Sequence, residues 1–412
     1  MGGLILNEFN KMKCKKKFII VILLIFILEI LALYASVKNT NSDKIKLYIN
    51  EPSIKQQMMD TQFRIDEVSK IQNREENLYK KENLEKQMEI LEKQQSIAND
   101  MKCSKIKWRE LLENDLELIK EKKILVEKEG VNDVIEEVNR EFLYKDYCLN
   151  RNVKYEIDKK PTAFYNYPSV IYYVQRIFLL LIVAIFVCDI VSNEMDAMTI
   201  KVLLSKPVSR SKILLSKFFT AILVTNMIII GIQFLGFLVF GVLYGFGDLS
   251  TPFLVGGKYS IDYNLISNGK RAISSIIGSS YIMPAWKIII SMILAQSILV
   301  TATISFCFLI STICKNSIAS TSIGFFLLVI SFIVTFNSTD IFSSRLRPSI
   351  IQKILPYVFG SYYDTFSIFT GQLAKSMLNP IATIECFTII SILWIVICYT
   401  ISNYIFIKRD II

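Results

Sequence analysis

The sequence contains no histidine, the side chain most used for acid–base catalysis near neutral pH and for binding metals. None of its eight cysteines are spaced as C-x-x-C, the pattern typical of zinc sites and thioredoxin-like redox sites. The phosphate-binding pattern G-x-x-x-x-G-K-[ST] of ATPases is also missing. We therefore expect a protein that is not an enzyme, with no catalytic residue, no metal site and no cofactor of its own.

Charged residues are scarce as well, at 20% of 412 residues, whereas 52% of the residues are hydrophobic. Several apolar runs approach the ~20 residues that are needed to cross a bilayer. The sequence therefore predicts an all-α polytopic membrane protein, with six transmembrane helices and a large helical extracellular domain between the first and the second. The predicted spans are 18–37, 169–192, 218–245, 288–313, 318–336 and 383–407.

The distribution of positive charge orients these spans, because basic residues close to a span resist translocation. With the N-terminus inside, the cytosolic segments 1–17, 192–217, 314–317 and 408–412 hold 13 Lys and Arg against 4 Asp and Glu. The net charge of the whole chain is +10, so nearly all of the excess lies on one side. We expect a multi-pass protein of the cell membrane with both termini cytosolic. Anionic lipid headgroups account for the basic charge, and no nucleic acid partner is needed.

The predicted extracellular segment 38–168 has a balanced charge and almost no helix-breaking residues. Between Pro52 and Pro161 there is no proline and one glycine, Gly130, so we predict two or three long helices. One predicted helix, from Asp60 to about Asn99, has the apolar seam Leu84, Met88 and Leu91. The next has an apolar stripe formed by Leu111, Leu112, Leu118, Ile119, Leu125 and Val126.

Two interpretations of this domain stay open: a coiled-coil-like hairpin that folds on itself, and a docking or sensing domain. Cys103 and Cys148 are the only cysteines predicted outside, so they are the candidates for a disulfide. Of the later external segments, 246–287 is rich in Gly and Ser and is predicted to be irregular. Segment 337–382 combines prolines with aromatic residues, which fits broken re-entrant helices or an aromatic belt at the interface.

Glu29 is the one charged residue predicted in the membrane interior, where charge is costly and normally functional; Arg176 and Asp189 flank the apolar core of the second span, and Glu385 precedes that of the sixth. Two roles are open for it. It lines a translocation path, alone or paired with Arg176, or it is a protonated carboxyl that only hydrogen-bonds a neighbouring helix. The scarcity of such residues argues against a carrier driven by an ion gradient.

The most distinctive motif is the cytosolic loop 193–217 between the second and third spans. Pro207 is expected to end a surface helix from Glu194 to Ser205, and Ser209 to cap the next helix. The loop resembles that of the ABC-2 family of ATP-binding-cassette permeases, which carries an acidic residue, a leucine-rich turn, Pro-x-Ser-Arg and a final lysine. The matching residues here are Glu194, Leu203, Leu204, Pro207, Ser209, Arg210 and Lys217.

Both chain ends resemble the same family. The N-terminal segment 4–11 is similar to its amphipathic cytosolic helix, and 406–410 is similar to its usual ending. The resemblance implies an exporter permease that pairs with a second permease, identical or related, and with two copies of a cytosolic ATPase that binds ATP and Mg²⁺. The resemblance also implies that loop 193–217 couples this permease to the ATPase, with Glu194 or Asp196 offering a carboxylate to a basic residue of the ATPase.

The resemblance leaves the substrate open among drugs, antimicrobial peptides and lipid-like molecules. The alternative function is a membrane-anchored sensor or assembly protein that acts through its extracellular helical domain.

Overall fold

A computed structural model of the chain describes residues 2–40, 54–70, 75–103, 108–155, 160–197, 208–262, 272–339 and 349–409. Helices make up most of it. In chain order they are α1 (Gly2–Lys13), α2 (Lys16–Thr40), α3 (Ile54–Lys70), α4 (Glu75–Cys103), α5 (Trp108–Glu129), α6 (Asn132–Asn150), α7 (Ala163–Val174), α8 (Leu180–Val187), α9 (Ser192–Asp196), α10 (Arg210–Tyr244), α11 (Ala285–Ile313), α12 (Ser317–Thr339), α13 (Ser349–Ile354), α14 (Thr365–Thr370), α15 (Gln372–Met377) and α16 (Ile384–Lys408).

Four short strands lie between α10 and α11: β1 (Pro252–Val255), β2 (Tyr259–Asp262), β3 (Ala272–Ser275) and β4 (Tyr281–Pro284). They form two nested antiparallel pairs, in which β1 pairs with β4 and β2 with β3. The protein is mostly helical, as predicted, but the prediction that segment 246–287 is irregular is wrong, because part of it forms strands. The Gly and Ser residues occupy turns, among them Gly256 and Gly278 with φ of 80° and 74°, and short runs between the turns pair as strands.

The chain folds into two compact units. The membrane unit comprises 1–35, 167–243 and 289–412, and the insertion unit comprises 36–166 and 244–288. Among the described residues, five helices are long and apolar enough to cross a membrane: α2, α10, α11, α12 and α16. Many large apolar side chains on them are exposed, including Ile19, Met227, Leu294, Ile318 and Ile389. Such contiguous apolar surface requires an apolar solvent, so we describe these helices as membrane-embedded.

The predicted second span, 169–192, is not one continuous helix. Pro168 lies inside α7, a π-helical turn follows over Gln175–Leu179, and α8 then ends at Val187. Within the turn Phe178 has φ 142° and ψ 5°, which is far from helical geometry. This π-helical turn and the non-helical backbone at Phe178 interrupt the regular hydrogen bonding, so an apolar run of sufficient length becomes two short helices.

The segment between α12 and α16 contains short helices, as the prolines and aromatic residues predict. After α13 come two 3₁₀ turns, Leu355–Tyr357 and Phe359–Tyr362, and then α14 and α15. Asp364 caps α14 by accepting a hydrogen bond of 3.0 Å from the Ser367 N–H. Whether these helices re-enter the membrane stays a prediction.

In the insertion unit, α5 and α6 pack against each other through apolar side chains: Leu116, Ile119 and Val126 of α5, and Ile135 and Val138 of α6. The residues of the predicted apolar stripe are not equally buried. Leu112, Ile119 and Val126 are buried, whereas Leu111, Leu118 and Leu125 are half-buried. The side chain of Cys148 is buried among Leu112, Tyr144 and Leu254. The side chain of Cys103 lies outside the described residues, so the disulfide stays a prediction.

The prediction of one helix from Asp60 to Asn99 is wrong. The stretch forms α3 and α4, which pack against each other. A single continuous helix could not bring these two parts together. Leu84 and Leu91 of the predicted seam are buried in α4, and Met88 is half-buried.

The insertion unit also buries a set of four charged side chains, which we name the insertion cluster: Asp115 and Lys122 of α5, and Glu141 and Lys145 of α6. Nζ of Lys145 lies 2.6 Å from a carboxylate oxygen of Asp115 and 2.6 Å from one of Glu141. Nζ of Lys122 lies 3.7 Å from Glu141. All four side chains are at most 6% exposed. Burial opposes ionisation of Glu141, but the charges of Lys145 and Lys122 outweigh it and lower its pKa to about 2.

Candidate functional site

Four charged side chains join the N-terminal helix to the two helices that flank the predicted coupling loop. We name them the four-charge cluster: Glu8 and Lys11 of α1, Glu194 of α9, and Lys217 of α10. Nζ of Lys217 lies 2.7 Å from Glu8 and 2.7 Å from Glu194. Nζ of Lys11 lies 2.9 Å from Glu8 and 3.0 Å from Glu194. Each base therefore contacts both acids, and the cluster has no net charge.

Burial differs strongly across this cluster. The side chain of Lys217 is 1% exposed and those of Glu8 and Glu194 are 8% and 12% exposed, but Lys11 is 38% exposed. Burial acts to raise the pKa of Glu194, but the charges and hydrogen bonds of Lys217 and Lys11 outweigh it and lower that pKa. A buried ammonium such as that of Lys217 is tolerable only beside compensating carboxylates. The cluster therefore depends on all three helices at once.

Local sequence explains how α1 reaches this position. Glu8 and Lys11 are three residues apart, which places them on one side of a helix. Met12 is buried with Glu8, while Leu6 is exposed. The hydroxyl of Thr220 in α10 also lies 3.5 Å from the carbonyl oxygen of Ile5. The amphipathic helix thus packs against the beginning of α10.

A second ion pair joins the start of α2 to the end of α8. Nζ of Lys17 donates to the carbonyl oxygen of Phe186 at 2.9 Å and contacts the Asp189 carboxylate. Lys15 lies 4.0 Å from the same carboxylate. A cation at the C-terminal end of a helix stabilises its unpaired carbonyl groups. The broken helix is therefore anchored next to α9.

Two arginines bind the C-terminal ends of long helices. Arg210, a residue of the predicted motif, donates to the carbonyl oxygens of Ile407 and Arg409 at 3.1 and 3.0 Å, at the end of α16. Arg409 in turn donates to the carbonyl oxygen of Thr312 at 2.5 Å, at the end of α11. These contacts bring both flanks of the loop and the final residues of α16 to one region of the membrane unit.

The remaining predicted loop residues separate into two groups. Asp196 is exposed, and its carboxylate accepts from the N–H of Ser317 at 3.4 Å, at the start of α12. Ser209 is exposed directly before α10, in the position of a helix cap. Leu203, Leu204 and Pro207 lie outside the described residues, as does most of the predicted surface helix.

Glu29 lies in the interior of the membrane unit and is 2% exposed. Its Oε1 lies 3.0 Å from the hydroxyl oxygen of Tyr167 in α7, which also contacts the carbonyl oxygen of Gln233 in α10. The structure therefore places Glu29 beside Tyr167. Arg176, the partner considered from the sequence, contacts the hydroxyl of Tyr172.

A row of buried amides continues from this point. The side chains of Gln233 and Gln296 exchange hydrogen bonds of 3.1 and 3.2 Å, and Gln175 donates to Gln296 at 2.9 Å. Oε1 of Gln175 accepts from the N–H and the hydroxyl of Thr365, at 3.0 and 2.8 Å. The row joins α10, α11, the π-helical turn and α14.

Sequence reasoning missed several of these residues as functional partners. Opposite charges three residues apart in a short N-terminal helix were the available signal for Glu8 and Lys11. For Tyr167, Gln175 and Gln296, the signal was polar side chains inside or beside apolar runs, which in membranes usually face the protein interior. Neither signal identifies the partner, because each bond joins residues that are far apart in the chain.

Comparison with known families supplies an independent observation. Residues 4–411 match the family described as ABC-2 family transporter protein. Comparison with curated proteins finds no match. The matched region includes most of α1, the four-charge cluster and every described span, so the match covers nearly the whole architecture. This chain belongs to the ABC-2 family of transporter proteins, whose members are membrane subunits and not themselves catalytic.

Proposed function

We propose that this chain is the permease subunit of an ABC-2-type exporter, powered by a separate cytosolic ATPase that binds ATP and Mg²⁺. The four-charge cluster is the observation that carries the proposal. It links α1 and α9, two short helices at the predicted cytosolic face, to the first two turns of α10. Since α10 is one continuous helix of 35 residues, a displacement at its beginning is transmitted along the whole span.

The proposed topology has six crossings, with the broken helix α7–α8 as the second and both termini in the cytosol. The positive charge near the chain termini and the 193–217 loop supports this orientation. The insertion unit then lies outside the cell. Cysteine labelling of intact cells with an impermeant maleimide tests it, using Asp60→Cys in the insertion unit and Ser209→Cys before α10, both exposed positions. We expect labelling at 60 and none at 209; the reverse pattern would exclude the cytosolic coupling surface.

In this mechanism the ATPase contacts the exposed surface around α9, and not the cluster itself. Glu194 is engaged by Lys11 and Lys217, so its carboxylate holds the permease together and is not offered to the partner. Asp196 is exposed two residues further along the chain and is the better candidate for a basic residue of the ATPase. A pair of permeases with two ATPase chains completes the proposed assembly, and a drug, an antimicrobial peptide or a lipid-like molecule is the proposed substrate.

The experiment measures co-purification with the cytosolic ATPase and the ATPase rate of the assembled complex. Asp196→Lys should weaken both, because it reverses the exposed charge at the proposed contact. Asp60→Lys is the matched control, since it makes the same change on an exposed residue of the insertion unit. Unchanged assembly and unchanged ATPase rate with Asp196→Lys would contradict the proposed contact.

A further inference from the structure

The hydroxyl of Tyr167 lies between two oxygen atoms in the interior of the membrane unit. One is the backbone carbonyl of Gln233, which can only accept a hydrogen bond, and the other is Oε1 of Glu29, at 3.0 Å. A tyrosine hydroxyl has one proton and can donate to one of them. Both contacts are hydrogen bonds only if Tyr167 donates to Gln233 and Glu29 supplies a proton of its own to the Tyr167 oxygen.

In the part of the chain that the structure describes, no positive charge compensates Glu29. Among the described residues, no salt bridge includes Glu29, and its other oxygen, Oε2, is buried with no hydrogen-bond partner. The groups that face the carboxyl are the Tyr167 hydroxyl from α7 and the backbone of Gly236 from α10, where an added Cβ would overlap the carboxyl. An ionised carboxylate without donors or a counter-ion is far less stable in such a site than the neutral acid.

The next polar groups along α10 are neutral as well. Gln233, Gln296 and Gln175 bind one another through their amides, and the row ends at Thr365. Among the described residues, these amides bond to one another and to Thr365, and none of them donates to Glu29. The proton count, the unpartnered Oε2 and the neutral surroundings are separate observations that agree.

We propose that Glu29 is a proton-binding site at the centre of the membrane unit, and that in this conformation it carries the proton and donates it to Tyr167. The neutral pair joins α2 to α7 and α10. A movement that separates α2 from these helices admits water to the carboxyl, which then releases its proton at neutral pH. The proposal concerns the permease alone and does not rest on the identity of its ATPase or substrate.

Infrared difference spectroscopy of the full chain in lipid nanodiscs tests the proposal. In the spectrum of wild type minus Glu29→Gln at pH 7, we expect the carbonyl stretch of a protonated carboxyl to be lost in the variant. Glutamine has the same shape as the neutral acid, so the fold should be retained. Asp364→Asn is the matched control, because Asp364 is also buried but accepts hydrogen bonds from the Ser367 N–H and hydroxyl; it should leave the Glu29 band in place.

Tyr167→Phe provides a second, independent measurement on the wild-type Glu29. Removing the acceptor oxygen should shift the same band to higher frequency without removing it. If Glu29→Gln removes carboxylate bands and not the acid band, the proposal is overturned, since Glu29 would then be ionised. A band that does not move with Tyr167→Phe would also overturn it, because the proton would not be donated to Tyr167.

Discussion

Each of the two units contains a neutral set of two acidic and two basic side chains, yet the two sets differ in what they join. The insertion cluster connects neighbouring helices α5 and α6 of a single hairpin, and all of its side chains are at most 6% exposed. The four-charge cluster joins residues about 200 positions apart in the chain, and its Lys11 is 38% exposed.

This difference indicates that the insertion cluster only stabilises its hairpin, whereas the four-charge cluster can form and break. Water and a partner protein have no access to the insertion cluster, so breaking it costs the desolvation of uncompensated charges. In the four-charge cluster, Lys11 can exchange its protein partners for water with little penalty. The same chemistry therefore fixes one hairpin permanently and holds α1 against α9 and α10 reversibly. The following predictions test this distinction.

Lys145→Met should have the largest effect. It removes the ammonium that lies 2.6 Å from both Asp115 and Glu141 and leaves two buried carboxylates with Lys122 alone. Loss of one partner in such a buried set costs about 3–5 kcal/mol. Hydrogen–deuterium exchange of α5 and α6 in the full chain measures the loss. Lys86→Met, which removes an exposed pair with Glu82, is the control and should leave protection unchanged.

Glu141→Gln should cost slightly less and should depend on pH. The pKa of Glu141 is lowered from 4.5 to about 2, which corresponds to about 3 kcal/mol of stabilisation. Because the folded-state pKa is depressed, this stabilisation is present above pH 4.5 and is lost as the pH falls towards 2. The difference in α5–α6 protection between wild type and variant, corrected for intrinsic exchange, should therefore shrink over that range. A difference that is constant with pH would contradict the ion-pair origin.

Glu194→Gln should have a smaller effect in the membrane unit. The amide of Gln can still accept a hydrogen bond, but it no longer neutralises the charge of Lys217. Because the cluster is partly exposed, we expect a loss of stability of about 1–3 kcal/mol. Exchange protection of α1 should fall, whereas Asp196→Asn at the exposed neighbour should leave it unchanged. If Glu194→Gln lowers the exchange protection of α1 as much as Glu141→Gln lowers that of α5 and α6, the proposed distinction between the two clusters is wrong.

Lys11→Met should have the smallest effect, below about 1 kcal/mol, because its side chain is the most exposed of the cluster, at 38%, and water screens its ion pairs in part. The measurement is again the protection of α1, compared with Glu194→Gln in the same buffer. Raising the salt concentration should diminish the difference between wild type and Lys11→Met, since exposed pairs are screened. An effect larger than that of Glu194→Gln would show that α1 is held mainly through Lys11.

Hydrophobic length and residue spacing were sufficient to predict much of the fold. Five of the predicted spans correspond to continuous helices, because a run of about 20 apolar residues has few alternatives to a membrane helix. The predicted second span does not correspond to one continuous helix, because the length of an apolar run does not reveal the π-helical turn at Gln175–Leu179. The strands in 246–287 were missed because four-residue strands lack a periodic signal long enough to detect.

For the candidate site, Glu194, Arg210 and Lys217 could be identified from a short motif, but their roles could not. Glu194 or Asp196 was expected to offer a carboxylate to the ATPase, which stays a prediction; within this chain Glu194 binds Lys11 and Lys217. Arg210 binds carbonyl groups at the end of α16, nearly 200 residues away. Spacing along the chain contains no information about such partners.

The sequence by itself determined that this protein is membrane-embedded and that its spans carry few charges, because these properties depend on composition and on local order along the chain; its loop motif supplied the resemblance to ABC-2 permeases. Only the tertiary structure decided which charges compensate each other and where the polar groups of the membrane unit meet. Ion pairs and buried hydrogen bonds depend on distances between residues far apart in sequence, and those distances exist only once the helices have packed.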